Sequence, residues 1–243
     1  MKHEMKVNGK SISKYNARLL NFNVSGTERS YSSSSTRPVL LLPDMYQTSL
    51  SPRLLSVTLT FFPRTLGESS RGRSIPEKLH RSTENIVRFE SDVSNRVLEI
   101  ILPDGYIYKS FLQSAQTPSF DATGEQDVEY IFLAIRQKSP IKETIAAGGV
   151  INCISNTNTL CRISFTISGY IPNMTIWGIK IRNIAANTEI VIDSEKGIIT
   201  ANGINKFSDT DLTDFPYLIP GNNVISCSVT GLSVTIDYTP IYA

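Results

Sequence analysis

Apolar and polar residues alternate through most of this chain. Leu20, Phe22 and Val24 alternate with Asn21 and Asn23, and Leu55, Val57, Leu59 and Phe61 alternate with Ser56, Thr58 and Thr60. Successive strand side chains point to opposite faces, so each run predicts a strand with one buried face. Residues 97–102 and 106–112 flank Pro103-Asp104-Gly105, and a glycine there tolerates the positive φ of a tight turn, which predicts a hairpin. Residues 128–135 are apolar on both faces, as expected of a central strand covered on both sides.

One segment has helical spacing instead. Ser74 is a candidate N-cap, Pro76 suits a first turn and Glu77 completes a capping-box spacing. A helix is expected over residues 75–91, laying a Leu79/Ile86 stripe on a sheet as core packing. Beyond Lys138-Ser139-Pro140 and Gly148-Gly149 the pattern is all β. Ile163, Phe165 and Ile167 alternate with polar residues, as do Trp177, Ile179 and Ile181, and then Leu232, Val234, Ile236 and Tyr238. Strands with frequent turn punctuation predict a sandwich or jelly roll. The fold class expected is mainly β in two domains, residues 1–140 with the one helix and residues 141–243.

Charge sharpens the boundary but not the function. Residues 1–138 carry a net +4 and residues 139–243 a net −2. The overall +2, from 24 basic and 22 acidic residues, lacks the strong basic footprint of a sequence-specific nucleic-acid binder. The three cysteines, Cys153, Cys161 and Cys227, have no short CxxC spacing and read as reduced core thiols. The charged opening MKHEMKVNGKSIS has no apolar stretch of a signal peptide. No apolar run approaches the roughly 18 residues of a membrane span, so a soluble protein made in a cytoplasm is expected.

Candidate chemistry is sparse. The sequence contains no GxSxG, HExxH, GxxxxGK[ST] or GxGxxG. His3 and His80 are the only histidines, and neither neighbours a cysteine or carboxylate in a catalytic pattern. Asp209, Asp211 and Asp214 form a DxDxxD cluster, but the Gly and later Glu of a calcium loop are missing. Trp177, Tyr170, Phe207 and Tyr217 are the aromatics a sugar ring could stack on, with Trp177 assigned to the core. No catalytic, cofactor or metal site is expected. Residues 30–36, nearly all Ser, Tyr and Thr, read as an exposed loop. Residues 64–73 carry Arg64, Arg71 and Arg73 and read either as an arm reaching a neighbouring subunit or partner, or as a plain solvated loop.

The last sixty or so residues hold the most information. Ile190 to Asp193, Gly197, Asn202-Gly203, Phe215-Pro216, Pro220-Gly221-Asn222-Asn223 and Tyr238-Thr239-Pro240 follow one another in a fixed order that closes on a terminal strand. Together with the opening Val7-Asn8-Gly9-Lys10-Ser11-Ile12-Ser13 and the strand from Arg18 to Val24, this series resembles the distal tail proteins of long-tailed phages infecting Gram-positive hosts. The resemblance implies an N-terminal domain assembling as a homo-hexameric ring and a C-terminal galectin-like sandwich. It implies a hub that joins the tail tube protein and tape-measure end to tail-tip or baseplate proteins, and through them to receptor-binding proteins. The location implied is the distal end of the virion tail, after synthesis in the host cytoplasm, with no membrane partner. At 243 residues there is no room for a large inserted carbohydrate-binding module. The alternative reading is a galectin-like carbohydrate-binding module acting in host recognition, and a third, a tail-tip hydrolase, is disfavoured by the missing motifs.

Overall fold

The computed structural model describes residues 4–25, 52–63 and 74–242. The loops expected at residues 30–36 and 64–73, with Arg64, Arg71 and Arg73, lie outside the described residues. The described chain divides into two compact units, one comprising residues 4–25, 52–63 and 74–137 and the other residues 138–242.

Among the described residues the N-terminal unit is an antiparallel sheet with one α-helix and a short 3-10 turn at Ile12–Tyr15. Its elements are β1 (Lys6–Val7), β2 (Lys10–Ser11), β3 (Ala17–Ser25), β4 (Arg53–Phe61), α1 (Ile75–Val93), β5 (Val97–Ile101), β6 (Ile107–Ala115), β7 (Ser119–Phe120) and β8 (Gln126–Gln137). Strand order across the sheet is β2-β1-β5-β6-β8-β4-β3, with β7 pairing to the end of β8. The β5–β6 hairpin forms as expected, and its Gly105 sits at φ 79°.

β8 is central, between β6 and β4, but its two faces differ. Val128, Tyr130, Phe132 and Ala134 are buried, whereas Ile131, Leu133 and Ile135 are only half-buried. The expectation of a strand covered on both sides therefore holds for one face. α1 covers that face: Phe89 is fully buried, with its ring centroid 5.3 Å from Tyr15, 5.9 Å from Phe61 and 5.0 Å from Tyr130.

The helix contact also departs from the sequence reading. Its buried face is Ser82, Asn85, Ile86, Phe89 and Val93, and Leu79 is only half-buried. The early turns are held by hydrogen bonds in place of an apolar stripe. Gln126 Nε2 donates to the Leu79 carbonyl at 3.0 Å, to Ser82 Oγ at 2.6 Å and to Thr83 Oγ1 at 2.9 Å. Asn85 Nδ2 donates to the Phe62 carbonyl at 3.0 Å. Buried polar groups persist where partners satisfy them, as here. Ser74 is the N-cap residue but its side chain makes no capping bond, so the capping box does not form.

The C-terminal unit is a β-sandwich. One layer contains β9 (Ile141–Ala146), β11 (Thr159–Ile167), β14 (Thr188–Asp193), β15 (Ile198–Ala201), β16 (Ile204–Asn205), β17 (Tyr217–Leu218) and β19 (Ser233–Tyr238). Their order is β16-β15-β14-β11-β19-β9, with β17 on the far end of β11. The other layer holds the β10 (Val150–Cys153) and β18 (Gly221–Val224) pair and the hairpin β12 (Ile171–Ile176) and β13 (Ile179–Ile184). A bridge between Ile176 and Cys227 ties this hairpin to the segment after β18. Inward residues of both layers, among them Ile163, Phe165, Ile192, Ile236, Ile151, Met174 and Ile181, form one core. The alternation seen in the sequence is the alternation of these strands between core and solvent.

Trp177 corrects the strand reading. It is not a strand residue but the first position of a two-residue turn, at φ 47° with Gly178 at φ 80°. Two successive positive φ values match the right-handed twist of the flanking strands. The pairing of Ile176 with Ile179 fixes the register, and Trp177 packs half-buried on the core.

Candidate interaction surfaces

The C-terminal turn residues make backbone turns and local hydrogen bonds. Asn202 and Gly203, at φ 47° and 79°, link β15 to β16. Asn202 also exchanges hydrogen bonds with Glu189 on β14, donating its N–H at 2.8 Å and accepting at Oδ1 at 2.8 Å. Phe215 lies half-buried on the core, 6.3 Å from the Phe207 ring, and 3.8 Å from where a Cβ on Gly197 would sit. The Pro216 carbonyl accepts from the buried Ser194 hydroxyl at 2.6 Å. Pro220 and Asn222 are exposed, and Gly221 takes φ 88°. Asn223, buried, ties this turn: it donates to the Ile219 and Gly221 carbonyls at 2.8 and 2.9 Å and accepts from the Ile219 N–H at 2.9 Å. Sequence reading placed Asn223 in the motif without giving it this role. Nothing in an Asn-Asn pair says which amide turns inward.

Two of the three carboxylates of the acidic cluster, Asp209 and Asp211, are paired with cations. Asp209 meets Lys206 Nζ at 2.6 Å, Lys206 also donates to the Asn183 carbonyl at 2.9 Å, and Asp211 pairs with Arg182. These cations offset the carboxylate charge that a hard metal ion would require. The cysteines sit as core or near-core thiols. Cys153 and Cys161 are buried and Cys227 is half-buried, and all three are free. Burial pushes the Cys161 thiol up to about 12, with Cys153 adding to the effect, so the nucleophilic thiolate is scarce there.

Two surfaces remain open among the described residues. A shallow groove of about 660 Å³ runs along the solvent face of the C-terminal sheet, where Lys142, Ser164, Thr166, Glu189, Ser233 and Thr235 line it. Tyr170, Phe207 and Tyr217 are exposed but are not among the groove residues.

The second surface is apolar and belongs to the N-terminal sheet, on the face turned away from α1. Val97 is directly opposite Phe111, Phe111 opposite Leu133, and Leu133 opposite Leu54. Register thus aligns four apolar side chains in one row across β5, β6, β8 and β4, with Ile131 and Ile135 flanking it on β8. Val97 is 46% exposed and Leu54 41%. Contiguous apolar residues on an outer sheet face mark interaction surfaces more often than scattered ones do.

Comparison with known proteins gives these surfaces a context. Residues 154–242 match the family described as siphovirus-type tail component, C-terminal domain. The match covers 89 of the 243 residues, so the likeness it gives is to the C-terminal part of this chain. The fold likeness extends beyond the matched residues. SPP1 Dit (gp 19.1), described as a paradigm of the hub adsorption apparatus in phages infecting Gram-positive hosts, superposes with a TM-score of 0.66 at 13% identity, over 100% of both chains. At that identity the likeness is one of fold. A chain of the phage P2 baseplate in its activated conformation with Ca gives a TM-score of 0.42 at 11% identity, over 99% of this chain and 98% of that one. No curated protein matches significantly.

Proposed function

We propose that this chain is a non-enzymatic structural protein at the distal end of a phage tail. Six copies form a homo-hexameric ring through the N-terminal unit. The ring joins the tail tube protein and tape-measure end to tail-tip or baseplate proteins. The observation that carries this reading is the likeness to SPP1 Dit over the full length of both chains, together with the tail-component match at residues 154–242. The apolar row from Val97 to Leu54 supports it, because a ring subunit needs a surface on which the next copy can pack. Arg64, Arg71 and Arg73 are further contact residues in this proposal.

Light scattering coupled to size-exclusion chromatography, with the tail tube protein present, tests the ring. The expected species has six times the mass of the 27.0 kDa chain. Leu54→Asp with Phe111→Asp is expected to reduce it to smaller species while circular dichroism stays unchanged. A wild-type chain that remains monomeric with the tube protein would count against the ring.

A further inference from the structure

We draw no further inference here: the strongest candidate, the shallow groove on the solvent face of the C-terminal sheet, is lined by outward strand and loop residues, and nothing in the structure shows what occupies it.

Discussion

Replacing Phe89 by alanine should unfasten the helix from the N-terminal sheet. Phe89 is fully buried and its ring meets Tyr15, Phe61 and Tyr130 with centroids 5.0–5.9 Å apart. Truncating a buried phenylalanine to alanine costs about 3–5 kcal/mol, made up of lost transfer energy and the cavity left behind. The three ring contacts fall within that figure and are not added to it. The neighbours give little room for collapse, because Phe61 and Tyr130 are fixed on paired strands, so the upper half of the range is expected. Domain stabilities are typically about 5–15 kcal/mol, so the loss is a large fraction of the total. With a urea slope near 1.5 kcal/mol per M, the unfolding midpoint should fall by roughly 3 M. Urea titration followed by amide hydrogen exchange of α1 reads this directly. Val87→Ala on the same helix is the control. Val87 is 58% exposed, and its replacement should change stability by less than about 0.5 kcal/mol. If Phe89→Ala cost less than about 1 kcal/mol, the helix could not be held by the contacts described, since that is far below the usual cost of such a cavity.

Other outcomes follow from individual side chains. Among the described residues the Ser110 hydroxyl is buried without a hydrogen-bond partner, so Ser110→Ala should be neutral or stabilise by up to about 1 kcal/mol in the same titration. Maleimide labelling of the native protein at mildly alkaline pH should modify Cys227 first and leave Cys161 unmodified until the chain unfolds; early labelling of Cys161 would contradict its burial. Hydrogen bonds from Tyr15, at 2.5 Å, and from Lys14 hold the Asp92 carboxyl below its usual range. A lowered folded value means that its contribution is complete above the unfolded value of about 3.9 and disappears as pH falls through the folded one. Asp92→Asn should therefore flatten the acid limb of a melting-temperature profile, and an unchanged limb would show that the pairing is not felt.

The β character and its strand alternation were legible in the sequence because period-two patterning is local. The β5–β6 hairpin and the Asn202-Gly203 turn were legible for the same reason, as each depends on a residue that tolerates positive φ. What escaped depends on distant partners. Leu79 looked like a helix contact by spacing, yet Gln126, far along the chain, draws the early turns of α1 in by hydrogen bonds. Trp177 looked like a strand residue by its alternation with Ile179 and Ile181, but pairing of Ile176 with Ile179 puts it in the turn. The apolar row was hidden for a similar reason. Val97, Phe111, Leu133 and Leu54 come from four separate strands, and only their register brings them together. The Asn202-Gly203 turn was readable from its residue types, whereas the inward role of Asn223 needed its three hydrogen bonds.

Gold-labelled antibody against this chain, viewed on intact virions by electron microscopy, tests the central claim most directly. Label confined to the far end of the tail, where tube gives way to tip or baseplate, is the expected result. Label along the tube or at the head, with none at that end, would contradict a distal hub.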